Sequence, residues 1–511
     1  MAEIPKKPCT RGGETMYKRH LNQVNLLDEP EMFGGIKLNK ENQWVKLAKM
    51  IPWGKLEEKY AEQFSEKTGN PACSFRMALG SLIIKEKYQF SDEATVEHIT
   101  MNPYLQYFIG LRQYTSAEPF NACQMTRFRQ RITPEMLSEV NDVVIGRPKA
   151  EEKKKDDHQD GDGTGTGIGS AEQDSTEEGE EKNEGTLILD ATCAPQNIRF
   201  PTDTSLLNEA RENSEQIIDE LHAAGYTDGK KPRTYREKAH KQYNSYSKDR
   251  KKNAKKTRKC IRQQLGYLVR NLSRIGEIMQ AHPQCMKEVR KWLRERLPIL
   301  MSLCEQQKEM YESKMHRIAD RIVSLSQWWI RPIVRGKQKA ETEFGAKVEM
   351  SDIDGYLRIE EIRWDAFNES TTLIDSVEKY RKAYGHYPER VLADKIFRTR
   401  DNLRYCKLHG IHLNGPKLGK PTQDPAQRRA ELKQEWLESG ERGDIERRFG
   451  IGKRCYSLGL IMAKLKETSE TTIHLSVLVL NLQKRLRLLL AFFREWLSFW
   501  KWKVCYADLA A

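Results

Sequence analysis

The chain has 511 residues, more than one ordinary core holds, so two or three domains are expected. Lys and Arg exceed Asp and Glu by 14 and the pI is about 9.1, which points to a polyanionic partner. The ten cysteines stand singly, which excludes a Cys-x-x-Cys zinc motif, argues against a disulfide framework and fits a reducing cytoplasm.

Residues 1–44 have no clear period and are expected to form a flexible arm without a signal-peptide core. From Trp53 the apolar spacing turns helical through Leu56, Tyr60 and Phe64, and a second run follows over 75–88. Ser91-Asp92-Glu93 reads as an N-cap with acids in the first turn. Asn102-Pro103 opens another short helix, and 126–131 adds a basic helical piece. Together, 45–146 reads as an all-helical N-terminal domain. Residues 147–185 differ: between 156 and 184 lie eleven acids and one Lys, with many Gly. Such a stretch buries too little surface to offset chain entropy, so a disordered acidic linker is expected.

Thr186-Leu-Ile-Leu-Asp190 then reads as a strand ending in an acid. About 205–326 is long, charged and helical, a set of long helices or a coiled-coil hairpin. Alternation returns at Glu343 to Met350 and at Tyr356 to Ile362, joined by Asp354-Gly355, a strong hairpin signal. Residues 370–384 read as a helix, Glu389 to Asp394 as a strand, and 428–438 and 441–466 as two helices. One or two more helices are expected over 472–500. The apolar stretch 486–500 is shorter than a membrane span of about 20 residues, and Arg487, Arg494 and Glu495 interrupt it. A packed helix is expected there, and no membrane anchor.

Three acids carry the chemistry of this sequence: Asp190, Asp394 and Glu446. Carboxylates suit Mg²⁺, and two such ions serve phosphodiester cleavage. Taken singly, each has a plain structural reading. The aspartates can cap turns, and Glu446 can pair with Arg442 on a helix surface. The densest positive segment is 230–262, with 15 Lys/Arg against Glu237 and Asp249. It includes Lys251, Lys252, Lys255 and Lys256, interleaved with Tyr235, Tyr243 and Tyr246, a pattern suited to phosphate contact and stacking. His409 and His412, with no third ligand nearby, read as structural.

Without 205–326, the order is strand, hairpin, helix, strand, helices. That order resembles the RNase H-like fold, so a mixed α+β chain is expected: an RNase H-like catalytic core over 186–470, a helical insertion, and C-terminal helices over 471–511. The acids resemble a family motif. Asp190-Ala-Thr, Ala393-Asp394-Lys-Ile-Phe397 and Arg442-x3-Glu446-x6-Lys453 resemble the three acidic motifs of the Asp-Asp-Glu transposases of bacterial insertion sequences. Further stretches are similar to that family: Arg331-Pro-Ile-Val-Arg-Gly-Lys337, Phe344-Gly-Ala-Lys347, Trp364-Asp-Ala-Phe-Asn368, Leu413-Asn-Gly-Pro416 and the helices around Ser91 to Phe108. The family often has a Tyr three residues before the Arg, where this chain has Ser439.

The resemblance implies metal-dependent cleavage at the ends of an insertion sequence and strand transfer into target DNA. Asp190, Asp394 and Glu446 would hold two Mg²⁺ or Mn²⁺ ions. Arg442, Arg447 and Lys453, with the four lysines at 251–256, would contact DNA. Arg127, Arg129 and Arg131 are candidates for terminal-repeat recognition. Double-stranded DNA is the expected partner, in at least a homodimer, in the bacterial cytoplasm at the nucleoid. A metal-dependent nuclease without strand transfer and an inactive DNA-binding derivative are the alternatives.

Overall fold

The computed structural model describes residues 33–64, 72–146, 182–227, 229–337, 340–365, 367–416 and 424–509. The expected arm up to residue 32 and the acidic linker up to residue 181 lie outside them. The end of the expected arm is packed, because Phe33 and Leu38 are buried in the core.

Seven helices open the described chain: α1 (Gln43–Met50), α2 (Trp53–Ala61), α3 (Phe75–Tyr88), α4 (Asp92–Met101), α5 (Pro103–Phe108), α6 (Gln124–Arg131) and α7 (Pro134–Ile145). Their starts carry the local chemistry that the sequence announces. Ser91 accepts from the Ala94 N–H at 3.1 Å, and Asn102 caps α5 ahead of Pro103.

A mixed sheet follows. Strand β1 (Thr186–Pro195) precedes four helices, α8 (Asp203–Ala223), α9 (Arg236–Lys248), α10 (Ala254–Ala281) and α11 (Lys291–Ser313). Then come β2 (Arg331–Lys337), β3 (Ala340–Ile353), β4 (Tyr356–Arg363), α12 (Leu373–Tyr384), β5 (Arg390–Leu392), α13 (Arg400–Leu408) and β6 (His412–Leu413). Two long helices close the chain, α14 (Pro425–Cys455) and α15 (Lys466–Leu509).

The strand order is β2-β3-β1-β5-β6, with β4 also paired to β3. β1 runs antiparallel to β3 and parallel to β5, so it is hydrogen-bonded on both edges. The hairpin β3–β4 turns at Asp354 and Gly355, with φ of 51° and 78°, the left-handed pair that an Asp-Gly turn supplies. β2 was not foreseen as a strand: Pro332 and Gly336 hid it, and it pairs with β3 alone through an irregular register.

The expected end of β1 needs correction. The strand does not stop at Asp190 but runs to Pro195, because the small side chains from Ala191 to Ala194 continue the pairing down to Gly345. At Gly345 the two backbones approach so closely that a Cβ would lie 2.1 Å from the Ala194 carbonyl oxygen. This is the glycine of the Phe344-Gly-Ala-Lys347 stretch.

The helix expected over 428–438 and the start of the one expected over 441–466 are a single helix, which ends at Cys455; 456–465 form a 3₁₀ turn and a connection to α15. Gly440 and Gly443 do not break α14, since the tertiary packing of Ile445 and Phe449 outweighs the glycine penalty of about 1 kcal/mol each. Likewise α15 begins at Lys466 and continues through the expected 472–500 helices.

Two hydrophobic clusters sandwich the sheet. On one side Val348, Met350 and Ala194 join α1–α7, α14 and α15 in a single core. On the other, Leu187, Leu189, Val391 and Ala393 pack with α12 and α13. The helices α8–α11 have a separate core around Leu207, Leu268 and Leu300, in which α8 packs on both α10 and α11. They form a four-helix group rather than a two-helix hairpin.

The N-terminal helices are therefore tied to the C-terminal end of the chain. Glu86 on α3, 5 % exposed, accepts from the Ser457 N–H and hydroxyl at 2.7 and 2.8 Å and from the Ser476 hydroxyl at 2.6 Å. Among the described residues no helix is long and apolar enough to cross a membrane. Cys73, Cys123, Cys193, Cys260, Cys285, Cys304, Cys406 and Cys455 are free thiols.

Replacing Gly345 by Ala is expected to destabilise the protein by more than about 2 kcal/mol, since the clash is with backbone on a central strand. Denaturant unfolding midpoints of the variant and the parent check this.

Candidate functional site

Side-chain alternation fixes which face each acid takes. Leu189 and Ala191 face α12, so Asp190 faces α14. β5 pairs Leu392 with Ile188, and Asp394 and Asp190 each stand two residues beyond that pair. Asp394 lies past the last paired residue but keeps extended backbone, φ −69° and ψ 160°. It thus belongs to the same face and the same level as Asp190.

Asp190 is largely enclosed, with 15 % of its side chain exposed. Its Oδ1 accepts from the Ala191 N–H at 2.8 Å, and Arg442 lies 3.8 Å from its Oδ2. Burial pushes its carboxyl up to about 6, and the charges of Glu446 and Glu369 add to the shift. The Ala191 hydrogen bond and Arg442 only partly oppose it. This is a buried acid short of positive charge.

Asp394 is exposed and caps a 3₁₀ turn, its Oδ1 accepting from the Lys395 N–H at 2.8 Å. The capping reading open at the sequence level is thus realised, and it leaves the residue at the mouth of the site. Asn414 fastens this corner by accepting from the Ala393 N–H at 2.8 Å. Arg398 donates to the carbonyls of Leu413 and Asn414. Asn414 and Arg398 were not singled out as site residues, although the Leu413-Asn-Gly-Pro416 stretch marked the place.

Glu446 is carried over the sheet by α14, which packs on β1 and β5. Ile445 and Phe449 point into the core, and Arg448 is bonded to the buried Asp352 of β3. Arg390 of β5 pairs with Glu441 at 3.1 Å. Arg442 then bridges the acids, 3.8 Å from Asp190 and 3.4 Å from Glu446. The structure therefore brings Asp190, Arg442 and Glu446 together and leaves Asp394 beside them on the neighbouring strand. Among the described residues no three His, Cys, Asp or Glu side chains stand close enough to hold one ion directly. The donors themselves are carboxylate oxygens, the type that Mg²⁺ and Mn²⁺ prefer.

The other expected contacts are dispersed. Arg447 is exposed and paired with Asp444. Lys453, two turns beyond Glu446, lines a cleft of about 830 Å³ together with Asp92 and Arg129. Lys251, Lys252, Lys255 and Lys256 are exposed on and before the first turn of α10, with Lys256 held by Asp249 at 2.6 Å. Two of the three repeat-recognition candidates make contacts within the fold. Arg129 forks onto Asp92 at 2.9 and 2.7 Å, and Arg131 lies 4.0 Å over the Phe64 ring. Arg127 is exposed. His412 bonds the buried Glu438 at 2.7 Å and His409 packs on Tyr387 and Tyr405, in keeping with structural roles.

Glu349 is a buried acid that the sequence did not single out. Glu349 of β3 lies opposite Ala191 and so faces α12, away from the three acids. Burial pushes it up to about 7, helped by Glu360, Glu361 and Glu369, while the Thr372 hydroxyl donates to it at 2.6 Å. In an alternating strand its letter looks like any solvent-facing residue.

Residues 391–483 match the family model described as the transposase DDE domain, and residues 35–131 match a transposase domain, DUF772. The first match begins at β5 and takes in Asp394 and all of α14. A curated relative from Rhizobium meliloti, an uncharacterized protein ORF8 in the nfe locus, is 35% identical over 103 residues. That alignment covers 20% of this chain, and the chain spans about half the length of the relative, 49%. No solved structure matches the chain.

Two outcomes are expected. Arg442→Gln removes the cation that lowers Asp190, so that carboxyl should titrate above about 6. Infrared difference spectra of the carboxyl band, with Asp190→Asn as reference, read this directly. Glu349 holds a proton in the folded state that the unfolded chain releases above its ordinary 4.5, so its contribution to stability falls as pH rises toward about 7. Glu349→Gln should therefore be more stable than the parent at pH ~8, with the gap narrowing at pH ~5, as compared by unfolding midpoints.

Proposed function

We propose, on the premise that the chain belongs to the DDE transposases of insertion sequences, that it binds the ends of its element, cuts the DNA there and joins the freed end to target DNA. The observation that carries this reading is the Asp190–Arg442–Glu446 bridge on the sheet face where Asp394 follows the adjacent parallel strand. The strand path β4-β3-β1-β5-β6, antiparallel as far as β1 and parallel beyond it, supports an RNase H-like core.

Asp190, Asp394 and Glu446 would hold two Mg²⁺ or Mn²⁺ ions. Such ions activate a water or a 3′-hydroxyl and stabilise the leaving oxygen of an in-line displacement. The buried Asp190, lifted to about 6, is the group with most to gain from a cation. Arg442 holds Asp190 and Glu446 apart from each other's charge. With DNA present, its guanidinium turns to the scissile phosphate as a fixed donor. Lys453 and Arg447 extend the positive face of α14 along the strand. Lys251, Lys252, Lys255 and Lys256 grip the phosphate backbone, giving affinity without sequence choice. Synapsis of two ends needs at least a homodimer, at the bacterial nucleoid.

Asp190→Asn, Asp394→Asn and Glu446→Gln should each lower metal-dependent cleavage of an end-bearing duplex on the order of 10³-fold or more. Binding in gel shifts should remain. Cleavage that survives any of the three would refute the assignment. A cut but never joined product from a pre-cleaved end would reduce the reading to a nuclease.

A further inference from the structure

We propose that a pocket between α10 and α11 takes one unpaired nucleotide of the bound DNA. The inference rests on the DNA-partner part of the reading above and is independent of the metal chemistry.

The pocket has a volume of about 510 Å³ and is built from the first turns of α10, the last turns of α11 and the loop after it. That lies in the range of small-ligand sites, about 300–1,000 Å³. Its wall is flat: the Arg258 guanidinium lies 4.2 Å from the centroid of the Tyr311 ring. Its floor is apolar, with Met310 buried and Ile261 beside it. The acid at its edge, Asp203, is neutralised by Arg321 at 2.6 Å and bonded by Gln307 at 2.9 Å. Lys314 and His316 also line the pocket.

Charge selects the occupant. One wall of the pocket is the end of the 230–262 segment, with 15 Lys/Arg and two acids. A DNA strand gripped by Lys251 to Lys256 passes its mouth. Within that segment, Tyr235 carries two cations, Arg233 and Arg270 at 4.7 and 4.6 Å, against the single one on Tyr311 among the described residues.

A base within a duplex shows only its edges, whereas a concave, half-open pocket with a flat wall admits a whole ring. Extracting a paired base costs a few kcal/mol, so the natural occupant is a base that is already unpaired, at a DNA end or in a tail. Stacking on an aromatic or guanidinium face is indifferent to base identity. The substrate class implied is DNA with a single-stranded terminus.

The test uses the full chain in chelator, so that nothing is cut. Fluorescence anisotropy compares a blunt duplex with the same duplex carrying a short single-stranded tail. A 2-aminopurine in the tail reports stacking. The wild type should bind the tailed duplex on the order of tenfold tighter and quench the probe. Tyr311→Ala should abolish both effects while leaving blunt-duplex affinity unchanged, and Tyr311→Phe should retain both. Ala254→Trp, which fills the mouth from an exposed position, should act like Tyr311→Ala. Equal wild-type affinity for the two duplexes would overturn the proposal, as would a tail preference that survives both Tyr311→Ala and Ala254→Trp. Loss of cutting and joining with the tail preference intact would count against the proposed reaction alone.

Discussion

The structure depends on β1 being paired along both edges. Its antiparallel ladder with β3 fixes its register over eight residue pairs, and its parallel ladder with β5 fixes that strand to it. A slip of one residue on either side would turn every side chain to the other face. Asp190 and Asp394 share a face because neither ladder can slip, and Gly345 is what lets the β1–β3 ladder continue past the site.

The third acid reaches that face by a different means. α14 owes its position less to its ion pairs than to burial. Arg442 and Glu446 are a half-exposed pair, a type that contributes about 0–1 kcal/mol. Burying Ile445 and Phe449 contributes about 2 kcal/mol each. The bond from Arg448 to the enclosed Asp352 adds direction to that packing. Beyond Lys453 the helix ends against Ser457, which Glu86 holds from the N-terminal helices. α14 is thus clamped at one end by the sheet and at the other by the helical layer. A change in that layer has a short physical route to Glu446.

How much of this was legible in the sequence follows from the range of each signal. Asp354-Gly355 gave its hairpin because the turn demands two left-handed residues, a local requirement. Ser91 and Asn102 gave helix starts for the same reason. The pairing of Arg442 with Glu446 follows from their i,i+4 spacing on one helix, whereas the approach of Arg442 to Asp190 depends on how α14 lies on the sheet. What failed was decided at long range. Ser439-Gly440 reads as a break, yet the core beneath α14 keeps it whole. Glu349 reads as a solvent-facing residue because nothing in its strand announces the helix that covers it.

The central claim is that Asp190, Asp394 and Glu446 converge on divalent cations. Replacing the cation with Fe²⁺ and adding ascorbate and peroxide cuts the polypeptide near wherever the ion sits. Peptide mapping should find cuts beside Asp190, beside Asp394 and within α14 near Glu446, all suppressed by excess Mg²⁺. Cuts confined to other segments, or cuts at one acid without the other two, would contradict the account.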